Sequence, residues 1–117
     1  VVIGGYIRKD ELSFIGFLSA LQMEDLYFDQ VIMGIYGINP DVGLISDHLL
    51  EMSTDQGFIN RGKKLVVVAD HTKFGPVTGR LLEPLNTVDM LFTSSLVPAP
   101  VIRKVQKQGV DVVQVSI

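Results

Sequence analysis

The residues best suited to chemistry follow the Val-rich run at 65–68: Asp70, His71, Thr72 and Lys73, closed by Phe74 and Gly75. A lysine supplies positive charge for a phosphate, while an adjacent carboxylate and hydroxyl can hydrogen-bond sugar hydroxyls. Three other groups hold similar chemistry: Gly4, Gly5, Arg8 and Lys9 near the start, the glycine-bearing stretch 34–43, and Thr93-Ser94-Ser95. Glycines let a backbone approach a ligand and present its N–H groups. The inventory suits a phosphorylated polyol. Each feature also has a purely structural reading. Glycines, Asp and Ser serve turns, Asp70 can cap one, and Lys73 or the Arg8-Lys9-Asp10-Glu11 run can simply face water.

Other chemistries find less support. With His48 and His71 as the only histidines, a site of three histidine ligands is impossible, and no carboxylate spacing suggests a metal. His71 beside Asp70 could act as a base or cap a loop. No Gly-x-Gly-x-x-Gly, Walker-type loop or Gly-x-Ser-x-Gly elbow occurs, so no cofactor is expected. The adjacent pairs Asp10-Glu11 and Glu24-Asp25 read as solvated carboxylates, and Met23, Met33, Met52 and Met90 as core filler.

The elements that must position these groups alternate. Apolar, β-rich runs at 1–6, 30–35, 64–69, 89–93 and 110–115 read as strands, short enough to be buried on both faces. A further short strand is expected at 77–82. Helical spacing predicts helices over 14–23, 46–60 and 98–108. The last opens on prolines and ends at Gly109, and Gly57 weakens the second. Strand–helix alternation argues an α/β fold with a mostly parallel sheet flanked by helices. The groups singled out then fall beyond strand ends, where open parallel sheets bind ligands.

A length of 117 residues and an apolar content of 47% suit one domain with a sizeable core. The net charge of −3 shows no basic excess, so this piece is not expected to grip DNA itself. The absence of cysteine excludes disulfides and thiol catalysis and fits a reducing cytoplasm. The apolar runs are far too short to span a bilayer, and no charged leader precedes them. The chain opens without Met on a strand-like run, which predicts a fragment of a longer product.

The order Ile3-Gly4-Gly5-x-x-Arg8, Ser13-x-x-Gly16, Asp29-x-x-x-Met33-Gly34-x-x-Gly37-Ile38-x-x-x-x-Gly43-Leu44, residues 65–75, and Val88-Asp89-Met90-Leu91-Phe92-Thr93 resembles the C-terminal sensor domain of DeoR-family repressors. The resemblance runs through nearly the whole chain, and Ala69-Asp70-His71-Thr72-Lys73-Phe74-Gly75 is its most specific part. It implies a fold like that of ribose-5-phosphate isomerase and glucosamine-6-phosphate deaminase. It also implies a sugar-phosphate effector that modulates DNA binding by a separate winged helix-turn-helix. Lys73 would hold the effector's phosphate or a nearby oxygen, and Asp70 would orient it. Thr72 completes the matching motif, and Gly4, Gly5, Arg8 and Gly37 would line the same crevice. Family sensors begin earlier, with a Thr-rich phosphate loop, so residues 1–117 are expected to lack the first part of the sensor and the DNA-binding head. Thr93-Ser94-Ser95 departs from the family's Thr-Asp pair.

A non-catalytic sensor is therefore expected, in the cytoplasm and as a homo-oligomer. The alternative is a sugar-phosphate isomerase on the related fold. Such an enzyme needs an acidic cluster in the loop after a central strand, where only Asp41 is found. Effector binding is expected to shift populations by closing the 34–43 loop.

Overall fold

A computed structural model describes residues 1–117 as nine strands and three α-helices. Four strands form a parallel sheet: β3 (Val31–Met33), β6 (Leu65–Val68), β8 (Met90–Ser94) and β9 (Asp111–Val115), in that spatial order. The register pairs Val31 with Leu65, Val66 with Met90, and Met90 with Asp111. This α/β architecture with a parallel sheet and flanking helices is the one expected.

Period-two alternation divides the sheet's side chains. Leu65, Val67 and Leu91 point into a core completed by Ile59, Val105 and Val110. Leu91→Ala is expected to cost about 2–5 kcal/mol, measured by denaturant unfolding, because the site is 1% exposed and cannot collapse. The other face is only partly covered. Val66 is buried, whereas Ile32 is 62% and Val68 50% exposed. The expectation of strands buried on both faces is corrected: a valine run carries no signal for which of its faces is packed.

Two of the expected helices form within a few residues of their predicted bounds. α2 (Leu49–Arg61) starts at His48, whose Nδ1 accepts the Glu51 N–H at 3.3 Å, and carries Glu51 in its first turn. α3 (Ala99–Gln106) opens on Pro98, Gly109 follows its end at φ +89°, and it buries Ile102 and Val105.

The first quarter of the chain differs. The run 1–6 is not a strand of the parallel sheet. β1 (Tyr6–Arg8) pairs antiparallel with β2 (Ser13–Ile15), and Val1 and Val2 are exposed. The first helix, α1 (Phe17–Met23), starts three residues later than expected because Gly16, at φ +98°, ends the hairpin. Its apolar stripe is not its buried face. Phe17, Leu18 and Leu21 are exposed, and Ser19 and Met23 are buried.

The stretch 34–43 is also more ordered than a loop. β4 (Gly37–Asn39), β5 (Gly43–Ser46) and β7 (Arg80–Glu83) form a separate antiparallel sheet, with β5 central. Ile38 is fully buried, and its carbonyl accepts the Gly75 N–H at 3.1 Å. The segment 34–43, expected to close over an effector, thus contains β4 and the first residue of β5. The strand expected at 77–82 is β7, displaced to 80–83. No helix is long and apolar enough to cross a membrane.

Candidate functional site

The turn after β6 is built as its sequence suggests. Asp70 accepts the Thr72 N–H at 2.8 Å and the Thr72 hydroxyl, winding residues 71–73 into one 3-10 turn. These bonds, the hydroxyl's first, hold the Asp70 carboxyl below the usual carboxylate range. Asp70 Oδ1 and the Thr72 hydroxyl thus engage each other, and the turn presents Lys73 to a cavity of about 400 Å³. That volume lies within the usual range of small-molecule sites.

Four parts of the fold build this cavity. Met33, Gly34, Ile35 and Tyr36 come from the carboxyl end of β3 and the residues after it. Lys73 follows the carboxyl end of β6. Ser46 and Asp47 lead from β5 into α2, which adds Glu51 and Asp55. The β1–β2 hairpin supplies Arg8 and Glu11. The location beyond parallel-strand ends agrees with the general rule for such sheets.

Arg8 is already engaged. Its Nε and Nη2 each donate to Asp10 at 3.2 Å, and its Nη1 donates to Glu51, tying the hairpin to α2. Asp10, with Glu51 assisting, raises the guanidinium's proton affinity, and Arg8 in turn lowers that of the Asp10 carboxyl. Beyond these two pairs the only ion pair is Lys104–Asp41 at 2.9 Å. Lys73 is therefore the cavity's uncommitted cation.

Glu51 and Asp55 lie four residues apart on one face of α2. Burial, and next the Glu51 charge, push the Asp55 carboxyl up to about 7. Glu11, Asp47 and Asp55 take part in no ion pair. The four carboxylates escaped detection in the sequence because three separate segments supply them; the 51/55 spacing on a predicted helix was the one available signal. None of the four lies in the loop after β3, where an isomerase would need an acidic cluster and only Asp41 is found. Asp41, the carboxylate found by sequence position, does not line the cavity and is bound to Lys104.

Of the residues singled out from sequence, Arg8 and Lys73 line this cavity together. Gly4, Gly5, Gly37, Asp70 and Thr72 are not among the residues that line it. The Gly4 N–H donates to Gln22 Oε1 at 3.0 Å, and its carbonyl accepts the Ser19 hydroxyl at 2.8 Å. Gly5 abuts Ser19 Oγ, and Gly37 is buried in β4 against Val77. Thr93 and Ser94 are buried rather than presented to a ligand, with Ser94 Oγ 3.3 Å from His71 Nδ1. No group of His, Cys, Asp and Glu side chains is arranged to hold a metal ion.

A family model described as the DeoR C terminal sensor domain matches residues 1–95. The HTH-type transcriptional regulator GolR of Listeria innocua is 25% identical over 112 residues, which are 96% of this chain and 44% of that protein. A putative aga operon transcriptional repressor of Escherichia coli O157:H7 is 23% identical over 99% of this chain and 43% of its own length. The glycerol-3-phosphate regulon repressor of Escherichia coli K12 is 26% identical over 88% of this chain and 41% of its own. The chain spans less than half the length of these relatives.

Proposed function

The chain belongs to the DeoR C-terminal sensor domain family, and from that premise we propose that it is a non-catalytic effector-binding module of a transcriptional repressor. The effector is a sugar phosphate, and its site is the cavity between the hairpin, β3, β5 and α2. One observation carries this reading: Lys73, free of any ion pair, is held at the cavity by a self-capped turn beyond a parallel strand. An ammonium there meets a phosphate without first losing a partner. Asp70 and Thr72 act as the frame of that turn, and Gly4, Gly5 and Gly37 allow close backbone packing against Ser19 and Val77.

DNA is contacted by a separate helix-turn-helix domain, as two considerations support: relatives carry that term in their names and extend well beyond the matched region, and this chain's net charge is −3. The setting is then the cytoplasm. Exposed Ile32, Val68 and Val115 support assembly as a homo-oligomer. The parallel sheet with its ligand site beyond the strand ends supports a fold like that of ribose-5-phosphate isomerase and glucosamine-6-phosphate deaminase.

The test is a thermal-shift screen of the intact protein against sugar phosphates. A ligand at about a hundred times its dissociation constant adds roughly 2.7 kcal/mol to a state it alone binds. One sugar phosphate is expected to raise Tm, and Lys73→Ala to weaken it at least about tenfold, the loss of one charge-assisted contact. No shift with any sugar phosphate would sink the assignment. An isomerase reading keeps one observation in its favour, since a carboxyl near 7 can serve as a general base. Conversion of ribose 5-phosphate by the purified protein would establish it, and binding without turnover would remove it.

A further inference from the structure

We infer that the effector carries a cationic amino group as well as its phosphate, the amino group facing the side of the cavity where α2 and its approach supply Asp47 and Asp55. This rests on the reading of the cavity as a sugar-phosphate site and deepens it to a ligand class, the amino-sugar phosphates.

The balance of charge along the cavity wall carries the inference. Two cations, Arg8 and Lys73, face four carboxyl groups, Glu11, Asp47, Glu51 and Asp55. Arg8 is neutralised twice over, by Glu51 within the wall and by Asp10 behind it. What remains for a ligand is one ammonium and three carboxyl groups without an ion pair, Asp55 among them only partly ionised near neutrality. A phosphate enters with roughly −1.5 to −2 charge. A neutral sugar phosphate would therefore bring its whole charge into a wall that already carries an excess of the same sign. Lys73 can offset part of that. A second positive charge on the ligand offsets the rest and turns the repulsive carboxylates into charge-assisted acceptors.

Position supports the same assignment. Asp47 lies at the approach to α2 and Asp55 two turns further along it, whereas Lys73 arrives from the β6 turn, a separate element. A small ligand spanning the cavity can present its phosphate to one element and its amino group to the other. Asp55, which has no ion-pair partner, is also held only partly ionised near neutrality, its carboxyl pushed up to about 7 by burial and by Glu51. An ammonium beside it draws the carboxyl into its charged form, a gain that a sugar hydroxyl cannot match.

The test is isothermal titration of the intact protein with matched pairs: glucosamine 6-phosphate against glucose 6-phosphate, and galactosamine 6-phosphate against galactose 6-phosphate. Each pair differs by an ammonium in place of a hydroxyl. In at least one pair the amino member is expected to bind about tenfold more tightly or better. The Asp47→Asn/Asp55→Asn double variant, whose shape is conserved, is expected to bring that ratio below about threefold. Equal or tighter binding of the hydroxy members overturns the inference and leaves the sugar-phosphate site standing. A preference that persists in the double variant overturns the role of these two carboxylates. No binding of any member, with no other sugar phosphate stabilising the protein, overturns the inference together with the reading it rests on.

Discussion

Asp55→Asn is expected to stabilise the protein at pH 8 and to leave its stability unchanged at pH 4. The Asp55 carboxyl is pushed up to about 7 by burial and by the Glu51 charge. The folded state therefore holds this proton more tightly than the unfolded chain, whose carboxyl titrates at about 4. Between those values the folded state binds the extra proton, so the wild-type protein loses stability as pH rises from about 4 through about 7. Above that window the charged carboxylate is fully destabilising. A tenfold change in proton affinity corresponds to about 1.4 kcal/mol, and water in the open cavity screens much of the effect, leaving about 2 kcal/mol. Asparagine keeps the shape and has no charge to bury. The expected gain in Tm at pH 8 is roughly 5–10 °C, read as the difference between variant and wild type in matched buffers. A difference that does not vary with pH would refute the assignment.

Gly43→Ala is expected to do the opposite, and more strongly. Gly43 opens β5 at φ +148°, a backbone region that residues with a Cβ rarely occupy. An added Cβ would stand 2.4 Å from the Glu83 carbonyl oxygen and 2.9 Å from Pro84 Cα. Both obstacles are backbone of the neighbouring strand β7 and its exit, so no side-chain rotation relieves them. Strain and overpacking each cost on the order of 1–3 kcal/mol. A total of about 3 kcal/mol or more is expected by urea unfolding. Gly16→Ala is the comparison: its φ is also positive, at +98°, but nothing lies within 4 Å of the added atom. That variant isolates the backbone term and is expected to cost about 1 kcal/mol. Similar losses in the two variants would show that the approach of β5 to β7 is not tight. Ile45 and Ser46, two residues of the cavity wall, follow Gly43 on the same strand. Ligand binding should therefore fall in Gly43→Ala and not in Gly16→Ala.

Some of this site was legible in the sequence. The Asp-x-Thr-Lys turn after a valine run, and Arg8 after the first pair of glycines, were recognisable as residue types at strand ends, and both Lys73 and Arg8 reach the cavity. The misread elements share a cause. Phe14 sits at helical spacing from Phe17, Leu18 and Leu21, yet it pairs with Ile7 in a hairpin. Periodicity cannot distinguish an apolar stripe that packs from one that remains exposed. Glycine-rich 34–43 lacked a strand pattern of its own because β4 gains its order from β5, and β5 from β7, a strand far along the chain.

The sequence by itself determined what near neighbours decide. These include the four strands of the parallel sheet, the two longer helices with their caps, the capped turn that carries Lys73, and the resemblance those elements bear to a sensor family. Tertiary structure alone decided the electrostatics of the cavity. Glu11, Asp47, Glu51 and Asp55 meet only after hairpin, β5 and α2 have packed, and the same packing commits Arg8 to Asp10 and Glu51 while leaving Lys73 free. Backbone preferences and caps act over a few residues, so a local pattern records them. Charge and burial depend on distance through space, and that distance is set by long-range contacts that no local spacing encodes.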